Sequence, residues 1–328
     1  MSDVSPAGSV LPVLDPNSPA GEAVRAVADE AAVQAAAAAT AARSQVREVT
    51  SGRELDAVRR LFNVIWRPGP LGAPMTGELL RALAKSGNYV GGAFDGGELV
   101  GACVGFFGAP ADATLHSHIA GVSGAARGRS VGYALKLHQR AWCMRRGVSD
   151  IHWTFDPLIR RNAYFNLVKL GARPEEYLSN FYGGVHDAIN GGDDTDRLLT
   201  RWQLAGEPVR AACAGDFAPA DAAGCRAAGA AVALERGAGG SPVVGTLASS
   251  ARLASSTLLV AVPEDIERLR LTDPGAARDW RAALREVLGG LMAEGARVTG
   301  FDRSGWYILR RPEASGVTES IGKSEEER

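Results

Sequence analysis

The chain contains no run of about 18 apolar residues, the length a helix needs to cross a bilayer, so no membrane-spanning segment is expected. Its N-terminus lacks a basic stretch followed by an apolar core, which argues against a secretory signal. Cysteine is scarce: Cys103, Cys143, Cys213 and Cys225 lie far apart, with no Cys-x-x-Cys pair. That spacing suits reduced thiols in a cytoplasmic protein better than a disulfide framework or a zinc site. A surplus of charge is missing as well, since 36 Lys and Arg face 37 Asp and Glu. A general nucleic-acid binder, which must displace counterions from phosphates, is therefore not expected. Aromatic residues are absent from residues 1–45. This Ala- and Pro-rich stretch is expected to be a tail, disordered or forming a loosely attached helix over Glu22–Arg43.

What is present fits a globular α/β protein. The 328 residues are 46% hydrophobic and 22% charged, enough for one large domain or two medium ones. A short strand at Val46–Val49 leads to Ser51-Gly52-Arg53-Glu54, which has capping-box spacing, and to a helix with its apolar stripe at Leu55, Val58, Leu61, Phe62 and Ile65. Thr76 can cap a second helix. Tyr89–Phe94 and Leu99–Phe107 flank Asp95-Gly96-Gly97 as a hairpin. A strand at Leu115–Val122 comes next, then a helix from Ser130, a strand at Ile151–Phe155 and a helix over Ile159–Leu170. Strands near Tyr177–Gly183 and Arg197–Leu204 close this region. Hairpins joined to strand–helix–strand units predict a mixed central sheet with helices on its faces.

The stretch Val122 to Ala134 organises the chain. An apolar strand runs into Arg127-Gly128-Arg129-Ser130-Val131-Gly132-Tyr133-Ala134 and directly into a helix. The unpaired N–H groups of a helix's first turn attract phosphate, glycines allow close approach, and the arginines add charge.

Arg127–Gly132 resembles the Arg/Gln-x-x-Gly-x-Gly/Ala signature of the GNAT superfamily of acyl-CoA-dependent N-acyltransferases, with Ser130 in place of the first glycine. Phe94–Gly101 is similar to that family's central hairpin, and Asn162-Ala163 with Lys169–Ala172 to its later helix. The resemblance spans about Val46 to Leu204. It implies a GNAT-like mixed sheet over residues 46–204, with acetyl-CoA or another acyl-CoA as co-substrate and no metal. It assigns Val122, Arg127, Gly128, Arg129, Ser130, Val131, Gly132, Tyr133, Ala134 and Asn162 to CoA binding. The segments Trp153–Leu158, Arg161–Leu167 and Thr195–Arg197, with Ala261–Asp265 and Val298–Phe301, resemble a branch in which some relatives are associated with N-acylation of amino acids, including N-succinylation. The tyrosine that often protonates the leaving thiolate in the family aligns with Leu167; Tyr164, one turn earlier, is the substitute.

Acyl transfer to an amine needs a base within reach, because a free alkylamine is mostly protonated at pH 7. His116 and His118 share one strand face, and Asp156 ends a buried strand. These three are the candidates, each with an ordinary structural alternative: packed histidines, and a carboxylate that caps the next helix. Arg161 and Arg197 are candidates for an acceptor carboxylate. Residues 205–328 are expected to form a C-terminal α/β extension that completes the sheet, walls the acceptor pocket or makes a homodimer interface. Gly237–Ser256 reads as a flexible connection, and the last residues as mobile. The predicted activity is direct acyl transfer to a small-molecule amine. The competing prediction is a CoA-binding sensor or scaffold without catalysis.

Overall fold

The computed structural model describes residues 19–67, 74–183, 193–217, 220–245 and 255–312. The mobile ends expected before residue 19 and after residue 315 lie outside the described residues. Helix α1 (Pro19–Ala41) is followed by β1 (Gln45–Glu48), α2 (Gly52–Trp66), α3 (Gly77–Lys85), β2 (Tyr89–Asp95), β3 (Glu98–Phe107), β4 (Thr114–Val122), α4 (Val131–Met144), β5 (Asp150–Phe155), α5 (Arg160–Tyr164), β6 (Arg173–Leu178) and β7 (Arg197–Gln203). The seven strands form one mixed sheet in the order β1-β2-β3-β4-β5-β7-β6.

Local chemistry accounts for these elements. Ser51 caps α2 by accepting the Glu54 N–H at 3.3 Å, while the Ser51 hydroxyl donates to the Glu54 carboxylate at 2.9 Å. Thr76 caps α3 in the same manner, accepting the Leu79 N–H at 3.2 Å. Alternation along β3 sends Ala102 and Val104 toward Leu55, Val58, Phe62 and Leu80 of α2 and α3. Cys103 faces the other way, into a core with Leu135, Ala141 and Trp142 of α4.

The expectation of a loosely attached N-terminal helix is corrected. Ala28, Ala31, Ala35 and Ala42 are buried in the α4 core. Small side chains at helical spacing let the two helices pack closely, so the segment needs no aromatic of its own. Polar contacts fix it further: Arg140 donates to Gln34 at 2.8 Å, and Arg210 pairs with Glu30 at 2.9 Å.

Strands β4 and β5 are parallel and stay together only from Thr114↔Asp150 to His116↔His152. Beyond that point they separate. On its other side β4 carries a bulge, because Val104↔Ile119 is followed directly by Gly105↔Ser117 and His118 is the extra residue.

The C-terminal part does not extend this sheet. Helices α6 (Glu207–Cys213) and α7 (Ala222–Ala227) lead to β8 (Ala231–Arg236) and β9 (Pro242–Val244). Strand β10 (Thr257–Ala261), α8 (Ile266–Thr272), α9 (Pro274–Leu284), β11 (Arg297–Asp302) and β12 (Trp306–Arg310) complete a second sheet, ordered β11-β12-β10-β8-β9. Phe155, Leu158, Ile159 and Leu198 from the first unit share one core with Trp280, Leu284, Leu288 and Phe301 from the second. Strand β9 and a short turn before it lie within the stretch expected to be a flexible connection, of which residues 246–254 are outside the described residues. The strand expected near Tyr177–Gly183 lies earlier, at Arg173–Leu178, because the chain turns at Asn180 with φ 44°.

Candidate active-site cleft

Helix α4 starts from a left-handed turn. Gly128 has φ +80° and Ser130 has φ +63°, a region that costs a side-chain-bearing residue about 1–2 kcal/mol. Ser130 thus holds the backbone path a glycine would take, and its exposed hydroxyl caps nothing in the helix. The first bonds of α4 run from Tyr133 N–H to Ser130 O at 3.0 Å and from Ala134 N–H to Ser130 O at 3.1 Å. The N–H groups of Val131 and Gly132 come before them and have no backbone acceptor among the described residues. A Cβ on Gly132 would touch only Val122, at 3.7 Å, so the approach to these donors is open.

The turn faces a cleft of about 1360 Å³. Of the residues assigned to CoA binding, Val122, Arg127, Gly128, Ser130, Val131, Gly132, Tyr133 and Asn162 line it. Two predicted neighbours do not. Arg129 turns away and donates to Asp95 at 2.7 Å and to the Ala42 and Arg43 carbonyls at 3.0 and 2.8 Å, capping the end of α1. Ala134 is fully buried in the α4 core.

On the opposite wall, Tyr164 lines the cleft and Leu167 packs against the shared core. The reason is a π-turn over Phe165–Lys169, closed by Leu170 N–H to Phe165 O at 3.0 Å. One extra residue in that turn rotates the downstream side chains, so counting at 3.6 residues per turn misplaces the later positions.

The three base candidates separate. His116 and His118 lie on the face of β4 away from α4, with Phe106 at 5.1 and 5.9 Å between ring centroids. Neither lines the cleft; both sit beside the opening where β4 leaves β5. Burial pushes His116 down to about 4, with His118 and His152 adding to it, and burial lowers His118 as well. Both rings are therefore neutral at pH 7 and hold a captured proton weakly.

Asp156 is corrected: it is not available as a base. It is 5% exposed and accepts from Arg281 at 2.9 Å, from Arg270 at 2.6 Å and from the Leu158 N–H at 3.0 Å. Asp193 completes the knot, 3.2 Å from Arg270 and 3.1 Å from Arg281. Burial alone would raise the Asp156 carboxyl, but the two guanidiniums hold it well below the usual carboxylate range. Of the proposed acceptor contacts, Arg161 lines the cleft but is ion-paired to Glu267. Arg197 lies outside it, donating to Asp196 O at 2.9 Å and stacked 5.3 Å from the Tyr182 ring.

Sequence reading missed three partners. Arg270 and Arg281 drew no attention in the sequence, because nothing in their spacing marks the knot. Lys136, within the apolar Leu135–Leu137 stretch, is buried against Ser117, the residue next to the β4 bulge. It donates to Ser117 at 2.9 Å and Gln139 at 3.0 Å and lies 3.9 Å from the Trp153 ring centre. Burial pushes its ammonium down to about 8.

Together, the parted strands, the open helix start and the lining cations give the cleft the chemistry to receive an anionic group. No family model and no curated protein matches the chain. Among solved structures it is similar to an N-acetyltransferase from Staphylococcus aureus Mu50, at 14% identity and a TM-score of 0.40 over 49% of this chain and 98% of that one. It is similar to an acetyltransferase of the GNAT family from Streptococcus pneumoniae, at 13% identity and 0.39 over 48% and 97%. It is also similar to an aminoglycoside 6'-N-acetyltransferase complexed with coenzyme A, at 17% identity and 0.39 over 49% and 97%.

Proposed function

We propose that the protein is an acyl-CoA-dependent N-acyltransferase that moves a short acyl group, such as acetyl or succinyl, directly to the amine of a small molecule, an amino acid being the favoured acceptor. One observation carries the reading: β4 and β5 part beside an α4 start whose first N–H groups have no backbone acceptor among the described residues. The Val131 and Gly132 N–H groups, with Arg127, suit a diphosphate, and the absent side chains at Gly128 and Gly132 leave room for it. Asn162 on the facing wall suits the amide-bearing arm of the same co-substrate.

The parted strand supplies the electrophilic contact. Ser123 N–H is spent on Val100 O at 2.8 Å. By strand alternation, the Val122 N–H points to the side that β5 has left. A donor fixed there stabilises the oxygen of a thioester carbonyl as charge develops, which is worth roughly 3 kcal/mol in other acyl-transfer sites. His118, reaching through water from the far face of β4, takes the amine proton. The freed lone pair then forms the C–N bond, the C–S bond breaks as Tyr164 gives its proton to the leaving thiolate, and the proton shed by the new amide nitrogen returns through water to Tyr164. Holding both substrates in the slot supplies much of the remaining acceleration.

The depressed histidines favour a second reading, a CoA-binding sensor, because a weak base removes protons slowly. Thiol release from a panel of acyl-CoAs with amino acids and other amines tests the two. Turnover on any pair supports transfer; tight CoA binding with no turnover on any pair supports the sensor.

A further inference from the structure

The cleft holds more positive charge than a diphosphate at α4 requires. Arg127, Arg160, Arg161, Lys169, Arg268 and Arg303 line it, against Glu264, Asp265 and Glu267. Two of the three carboxylates are already engaged: Asp265 accepts the Arg268 N–H at 3.0 Å as the cap of α8, and Glu267 pairs with Arg161. The side chains of Lys169 and Arg268 are exposed and have no hydrogen-bond or ion-pair partner among the described residues. Arg303 is also exposed and lies 5.7 Å from the Tyr164 ring, held at the rim while its carbonyl accepts from Arg160 at 3.0 Å. Arg268 and Arg303 both belong to the C-terminal unit, so this wall is a contribution of the second sheet and not of the phosphate turn.

Unpaired cations gathered in one cavity repel one another unless an anion sits among them. The helix start already offers the diphosphate neutral donors and a partial positive charge. The remaining cations need a second anionic group, and a phosphomonoester carries about −1.5 to −2 at pH 7. We propose that the C-terminal unit is a recognition site for a terminal phosphomonoester, with Arg268 and Arg303 as its donors and Lys169 on the facing wall. It would read the 3'-phosphate of coenzyme A and so distinguish CoA from carriers that lack it. The assignment rests on the acyl-CoA reading above and deepens it.

Titration calorimetry with CoA, 3'-dephospho-CoA and adenosine 3',5'-bisphosphate tests the site on the full-length protein. CoA should bind on the order of 10- to 100-fold more tightly than 3'-dephospho-CoA. In the Arg268→Ala/Arg303→Ala double variant that ratio should fall to about two- to threefold, with 3'-dephospho-CoA affinity unchanged. Because both side chains are exposed, an unaltered melting temperature will confirm that the variant folds. Glu267→Gln, which removes an anion and releases Arg161, should tighten CoA binding severalfold. Equal affinity of the wild-type protein for CoA and 3'-dephospho-CoA overturns the phosphomonoester site while leaving the acyl-CoA reading intact. Failure of both to bind overturns the two together.

Discussion

Strand β4 ends at Val122 against a turn of glycines and exposed cations, while β5, its neighbour, ends at Phe155 and runs straight into Asp156, held by Arg270 and Arg281, whose side chains are 6% and 3% exposed. Both ends stand at the same edge of one sheet, and both are rich in arginine. The β4 end leaves the Val131 and Gly132 N–H groups without backbone acceptors among the described residues. The β5 end satisfies both Asp156 oxygens and joins the two halves of the chain. Position at a strand's C-terminal edge therefore does not separate a binding site from a staple. What separates them is whether the polar groups are already paired and whether water reaches them.

The sharpest way to break this contrast is at the staple. Asp156→Ala should destabilise the protein by about 3–5 kcal/mol in urea unfolding, because it strands two buried guanidiniums. Near-wild-type stability would mean that the knot does not hold the halves together. At the open end, Gly132→Trp should weaken CoA binding roughly a hundredfold or more, since an indole would cover the first-turn donors, with little change in melting temperature. Unchanged affinity would remove the diphosphate from α4. Tyr164→Phe should lower kcat on the order of 10²-fold with KM nearly constant, as expected when a proton donor is lost. His118→Ala should cost less, about tenfold in kcat/KM, because its ring is a weak base.

A last effect concerns pH. Burial pushes both His116 and His138 down to about 4, whereas unfolded histidine takes up its proton near 6.5. Between these values the unfolded chain binds more protons, so stability should fall as pH drops from about 6.5 toward 4. Urea midpoints at pH 7 and pH 5 check the sign, and a midpoint that rises on acidification would contradict it.

Much of the first sheet was legible because its elements carry local signals: the capping box at Ser51, the Asp95-Gly96-Gly97 turn and the two-residue alternation of β3. The turn at Arg127–Gly132 was legible as a turn into a helix for the same reason, as its glycines and charges are contiguous in sequence. What failed was non-local. Asp156 looks like a strand-end carboxylate until Arg281 arrives from 125 residues away. The π-turn after Tyr164 defeats counting by helical period. The alanines of α1 looked like a composition without an anchor because the large side chains of that interface belong to α4.

The pairing of α1 with later elements also sets a timetable. Gln34 meets Arg140 across 106 residues and Glu30 meets Arg210 across 180. Helix α1 thus waits for surfaces made much later in the chain, and contacts of such separation slow folding because loop entropy is lost before they form. Since Arg129 grips the carbonyls just after that helix, the turn that opens α4 would be among the final parts of the molecule to set.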